Sequence, residues 1–127
     1  MTSPKYKRVL LKLSGEALIG NKQYGIDDII IKEFASQISQ IQEEKIELII
    51  VIGGGNFFRG SDLEKLGIQR VTADHMGMLA TVTNSLALQS SVEQLGIDCR
   101  VMSSITIDAV CEKYIKRKAE RHLEKGR

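Results

Sequence analysis

Apolar and polar positions along the chain fall into strand-length and helix-length blocks. Val9, Leu10, Leu11 and Leu13 form a short apolar run broken only by Lys12, and Leu48–Ile52 is apolar without a break. Both runs lead into glycine, and continuous apolar runs of this length describe strands covered on both faces. Between them Ile30, Phe34, Ile38 and Ile41 recur at spacings of four, four and three, one apolar stripe of a helix that Asp27 or Asp28 can cap. Strand, helix, strand predicts a parallel pair joined by a right-handed crossover.

A second long helix is predicted over Ala73–Leu95, with Thr72 as its cap, Gly96 as its terminator and Gly77 as a weak point near its start. Met76, Leu79, Val82 and Leu86 cover one side of it, while Leu88, Val92 and Leu95 point elsewhere. A helix apolar on several sides is buried on several sides, here against the sheet and against a further helix or another subunit. Arg100–Ser103 reads as a short third strand and Tyr114–Lys125 as a charged helix closed by Gly126. The order β-α-β-α-β-α predicts an α/β fold, three-layer αβα with a mainly parallel sheet, as one unit over residues 1–127 without repeat or internal linker. The chain stops after a helix and its terminator, where a further strand is expected, so the sheet is expected to be truncated.

Composition narrows the class without choosing a function. With 127 residues, 43% apolar, 27% charged and a net charge of +2, the chain has the make-up of an ordinary globular domain, neither collagen-like, disordered nor disulfide-rich. No apolar run approaches the ~20 residues that cross a bilayer, and no hydrophobic signal core follows the first residues, so a cytoplasmic protein without a membrane partner is expected. Cys99 and Cys111 lie apart from each other with only His75 and His122 to help, which suggests structural thiols and no metal site. Lys113–Arg127 carries seven Lys/Arg against two Glu. Such a stripe can mark nucleic acid, but Glu120 and Glu124 are interleaved at helix-pair spacings and Tyr114 is the lone aromatic, so a solvated helix face is the favoured reading.

Gly53-Gly54-Gly55 directly follows the strand Leu48–Ile52, where a glycine turn lets a ligand approach the backbone and lets N–H groups converge on an anion. Ligands of open α/β sheets gather at the carboxyl ends of strands. A merely flexible turn is the plain alternative. Lys12 is a cation inside an apolar strand just before Ser14-Gly15, and its ammonium must snorkel to the strand's open end or find a partner there. Arg59 follows four residues after Gly55 and offers a fork of donors suited to phosphate. Neither the Walker A nor the Rossmann glycine pattern occurs, and nothing resembles a Ser-His-Asp triad or a zinc-protease helix. An acid in the first turn of a helix, as expected for Asp74, is explained as readily by the helix dipole. Phe57, Phe58 and His75 read as structural.

Three runs carry a resemblance: Lys12-Leu13-Ser14-Gly15-Glu16, Gly53-Gly54-Gly55-Asn56-Phe57-Phe58-Arg59-Gly60, and Asp74-His75-Met76-Gly77-Met78-Leu79-Ala80-Thr81. Together they resemble the uridylate (UMP) kinase branch of the amino acid kinase family; the first two are shared more loosely across that family and the third is particular to the branch. The resemblance spans Tyr6 to Arg127 and covers the amino-terminal half of the family's pattern. It implies phosphorylation of UMP by ATP with Mg²⁺, in pyrimidine nucleotide biosynthesis. Lys12, Leu13, Ser14, Gly15, Gly55 and Arg59 would meet ATP, with Lys12 as the catalytic cation, and Gly54 and Asp74 would meet UMP. Gly20, Asn21, Lys22, Gln23, Tyr24 and Gly25 match a region linked to activation by GTP, and the family assembles as homo-oligomers, commonly hexamers. Relatives acting on carboxylates, carbamate or isopentenyl phosphate share the glycine elements but not the Asp74–Thr81 run. With the second half of the pattern absent, the 127-residue chain is expected to be inactive alone. The alternative is an inactive interaction module that docks onto full-length subunits.

Overall fold

The protein is described here by a computed structural model covering residues 3–127. Strand β1 (Arg8–Leu13) leads through a 3-10 turn at Gly15–Leu18 to helix α1 (Asp28–Glu43), strand β2 (Glu47–Ile52), a short helix α2 (Gly60–Lys65) and the long helix α3 (Arg70–Glu93). Two-residue strands β3 (Met102–Ser103) and β4 (Glu112–Lys113) precede helix α4 (Lys116–Glu124). β1 and β2 pair in parallel from Arg8 opposite Glu47 to Leu13 opposite Ile52, the pair expected from the two apolar runs. Asp27 caps α1 with Oδ1, which accepts from the N–H groups of Ile29 at 2.9 Å and Ile30 at 3.1 Å.

The core lies on one side of the strand pair. Leu18, Ile31, Ala35, Ile38, Ile52, Leu88 and Val92 form it, with Leu13, Leu48 and Ile50 packed against them. Burying a side chain of Leu or Ile size contributes about 1.5–3 kcal/mol, so this cluster fixes how α1 and α3 lie against β2. The buried line of α1 is Ile31, Ala35 and Ile38, with Ile30, Phe34 and Ile41 half-buried beside it. The apolar stripe read from the sequence is therefore shifted by one residue at Ile31 and Ala35 and kept at Ile38.

Three further expectations are corrected. α3 begins at Arg70 with Gln69 as its cap, so Thr72 lies inside the helix and Asp74 lies beyond its first turn. Residues 100–103 do not form a third strand of the main sheet; Met102–Ser103 pairs only with β4, and that ladder is separate from β1–β2. The strand pair is not covered on both faces, since Leu10 is 55% and Val51 is 47% exposed on the side away from the core. Gly96 does end α3, in the left-handed region at φ 80°. Among the described residues no helix is long and apolar enough to cross a membrane.

Candidate functional site

The Lys12–Gly15 run and the Gly53–Gly55 turn, both singled out in the sequence, meet at the carboxyl ends of β1 and β2. Lys12 stands opposite Val51 in the ladder, and the N–H of Gly53 donates to Leu13 O at 2.9 Å, which carries the pairing one step past the strands. Beyond that point the two chains form facing glycine turns. A Cβ on Gly15 would lie 2.6 Å from Gly53 O, 2.7 Å from Gly55 N and 2.8 Å from Asn56 Oδ1. Such distances are impossible for any side chain, so glycine at position 15 is what lets the two turns touch.

The second turn also presses on α3. A Cβ on Gly54 would meet Gly77 O at 2.7 Å and the Ala80 Cβ at 2.8 Å. Gly77, far from being only a weak point of the helix, lies in the stretch of α3 on which Gly54 rests. Asp74 is exposed one turn earlier on the same side of α3, since residues three apart are neighbours on a helix. Because it lies past the first turn, the helix dipole gives little account of it.

Free donors lie at this contact, and Lys12 is on the strand that leads into it. Among the described residues the N–H groups of Gly54 and Gly55 donate to no backbone acceptor, and neither Lys12 nor Arg59 takes part in an ion pair. Lys12 is exposed on the same strand face as Leu10, and Arg59 is exposed at the cap of α2. Ser14 is occupied locally: its Oγ caps the 3-10 turn by accepting from Glu16 N–H at 3.2 Å. Leu13 faces the core, so its backbone alone is available to a ligand.

The Gly20–Gly25 loop is joined to the same centre through Gly25. Its N–H donates to Asn56 O at 2.7 Å, and Asn56 Nδ2 donates back to Gly25 O at 3.0 Å. Asn21, Lys22, Gln23 and Tyr24 form an exposed turn, while Gly20 sits at φ 57° against the Asp27 side chain.

Three residues at this centre carry no role in the sequence reading. Asn56 and Asn84 are 1% and 0% exposed and form a reciprocal amide pair at 2.9 and 2.7 Å. Asn84 Nδ2 also donates to Gly53 O at 2.7 Å. The signal for Asn84 was a polar residue with poor helix propensity on the line Ala80, Asn84, Leu88, all three buried. Glu16 places its Oε1 3.3 Å from where a Gly55 Cβ would stand, an acid beside the candidate anion turn.

The remaining candidates keep their bland readings. His122 Nε2 lies 2.8 Å from Glu112 Oε2, a contact that holds the Glu112 carboxyl below its usual range. Burial pushes the Cys99 thiol up, as suits a structural cysteine. Both cysteines are free, and among the described residues no group of three His, Cys, Asp or Glu could hold a metal ion.

The pattern of the amino acid kinase family matches residues 7–127. The uridylate kinase of Methylococcus capsulatus is 56% identical over 127 residues, which are 100% of this chain and 53% of that protein. That of Dichelobacter nodosus is 53% identical over 123 residues, 97% of this chain and 51% of that protein. Among solved structures, UMP kinase from Bacillus anthracis superposes with a TM-score of 0.90 at 44% identity, covering 95% of this chain and 50% of the other. UMP kinase from Ureaplasma parvum gives 0.89 at 35% identity, covering 98% and 53%. These likenesses bear out the αβα reading with a mainly parallel sheet. The chain spans about half the length of the curated relatives it matches.

Proposed function

Since the chain belongs to the amino acid kinase family, we propose that it supplies the amino-terminal half of a uridylate kinase, which transfers the terminal phosphoryl group of ATP to UMP. The observation that carries this reading is the contact of Gly15 with Gly53, Gly55 and Asn56 at the ends of two parallel strands, one of which carries Lys12, in no ion pair among the described residues. Two glycine turns that touch leave their outer N–H groups facing one opening, a cradle for polyanions. In this reading Lys12, Leu13, Ser14, Gly15, Gly55 and Arg59 bind ATP, Lys12 as the catalytic cation, and Gly54 and Asp74 bind UMP. The Gly20–Gly25 turn is the candidate GTP-responsive element.

The residue types suit the chemistry. A phosphate monoester loses its second proton near pH ~6, so UMP is already a nucleophile at neutral pH and no general base is needed. What opposes reaction is the mutual repulsion of two polyanions, which Lys12, Arg59 and backbone N–H groups offset by charge and position. Mg²⁺, when bound with ATP, neutralises phosphate charge. Its usual ligands are phosphate oxygens with one or two carboxylates, and Glu16 beside Gly55 is a carboxylate suited to join them.

Assembly follows from α3. Val71 and Leu79 are 66% and 49% exposed on its amino-terminal half, apolar surface that suits a homo-oligomer contact. The same surface favours the second reading, an inactive module docking on full-length subunits.

The deciding experiment joins this chain in frame to the second half of the Methylococcus capsulatus enzyme and measures UMP-dependent ADP formation. The hybrid is expected to turn over with UMP and not with carboxylate acceptors, and the 127-residue chain alone to be inactive. A folded hybrid that binds ATP but ignores UMP would overturn the assignment. Sedimentation of the chain with a full-length relative tests the second reading.

A further inference from the structure

Resting on the reading of the glycine turns as an anion site, we propose that Asn56 and Asn84 are positioning residues, a buried amide lock that makes the Gly20–Gly25 loop and the Gly53–Gly55 turn move as one unit. An anion held at the turn is then felt at Gly25 as well.

The lock is built from four side-chain donors, all used. Asn56 Nδ2 donates to Gly25 O at 3.0 Å and to Asn84 Oδ1 at 2.9 Å. Asn84 Nδ2 donates to Gly53 O at 2.7 Å and to Asn56 Oδ1 at 2.7 Å. The backbone of Asn56 closes the loop from the other side by accepting from Gly25 N–H at 2.7 Å. Gly25 is thus held by both its polar groups, and both holds come from one residue of the phosphate turn. Asn56 Oδ1 also stands 2.8 Å from where a Gly15 Cβ would be, so Gly15, Gly25 and, through Asn84, α3 converge on a single carboxamide.

Burial makes this arrangement all-or-none. Both side chains are shut off from water, so a loop that pulled Gly25 away would leave Asn56 with an unpaired buried donor, a costly state. Turning Asn56 to recover a partner would break its bonds with Asn84, and Gly53 O would lose its fixed partner in turn. A fully satisfied buried network has one low-energy arrangement, and its parts shift together. An apolar pair of the same volume would fill the space without tying the three backbone segments to each other.

The test is amide hydrogen exchange on the 127-residue chain and its Asn84→Ala variant, which removes two donors without touching Gly25. Exchange of the Gly25 amide, 59 residues earlier in the sequence, is expected to quicken about tenfold or more, while amides of the β1–β2 ladder stay within about twofold. An unchanged Gly25, or equal acceleration everywhere, would overturn the proposal, the second because it marks loss of global stability alone. Should the variant not fold, the parent decides. The Gly25 amide and the Asn56 and Asn84 carboxamide protons are expected to open with one shared urea dependence, and separate dependences or an unprotected Gly25 would defeat the lock. Sodium tripolyphosphate then probes the link to binding: it is expected to slow exchange at Gly54, Gly55 and Gly25 in the parent but at Gly54 and Gly55 only in Asn84→Ala. No response at Gly54 and Gly55 in the parent would remove the anion reading and the binding consequence, while the lock itself is judged by the exchange results without anion.

Discussion

At its carboxyl end β2 runs into a turn whose Gly53 is held on both sides, by Leu13 O and by Asn84, whereas along its flank the same strand borders a cavity of about 260 Å³. That cavity separates Leu48–Ile52 from residues 97–102 and from Leu123 of α4. One region has glycine packed on backbone and a buried amide pair bonded to it; the other has an unpaired strand edge and a two-residue ladder for company. The difference teaches that the candidate site is tied by hydrogen bonds and backbone contact, while the flank is closed by apolar packing that leaves a void. The tightly tied end and the loosely packed flank therefore belong to one and the same strand.

Core truncations should sharpen that contrast most. Leu18 is fully buried behind the glycine turn and Leu123 borders the cavity. Leu18→Ala is expected to cost about 3–5 kcal/mol and Leu123→Ala nearer 2 kcal/mol, since a site already beside a void loses fewer contacts. Urea unfolding of both variants checks the order, and equal losses would erase the distinction.

Gly15→Ala comes next. Its Cβ would collide with backbone at 2.6 and 2.7 Å, which forces the turns apart at about 1–3 kcal/mol. Calorimetry should show weaker stability and loss of tripolyphosphate binding together, because the same contact shapes both. Retained binding in a destabilised variant would separate the contact from the cradle.

Lys12→Gln leaves the fold intact and is expected to weaken tripolyphosphate binding about tenfold at low ionic strength, less as salt rises. Titration at two salt concentrations reads this directly. The smallest effect belongs to the other region. The Glu112 carboxyl is held low by His122, with a Coulomb contribution from Lys118 behind it. A carboxylate whose folded pKa is depressed stabilises the fold above its unfolded value and loses that contribution as pH falls through the folded one. The urea midpoint of the parent should therefore exceed that of Glu112→Gln slightly at pH ~7, and the excess should vanish once acid has protonated the Glu112 carboxyl in the folded state as well. Glu112 keeps much of its side chain in water, so solvent screening keeps the difference small.

Much of the site was legible because its signals are local. Apolar runs ending in glycine located β1, β2 and their turns, and Asp27 announced α1. What stayed hidden depends on contacts distant in sequence. Which residues of α1 are buried was decided by α3, and the helix start at Arg70 owes nothing to a side-chain cap. Residues 100–103 have strand character but no neighbouring strand in the main sheet, so propensity there found no ladder to join. The Asn56–Asn84 pair spans 28 positions, and a polar residue on a buried helix line is the sole trace it leaves in the sequence.

The open face of the strand pair sets Lys12 among exposed apolar side chains. Leu10 and Val51 are exposed on either side of it, and two free strand edges border the same face. A lone ammonium in that setting is a gatekeeper, because its hydration and repulsion discourage other chains from stacking on a sticky surface. An apolar replacement such as Lys12→Leu would thus be read first in the pellet of an expression lysate, before any question of nucleotide arises.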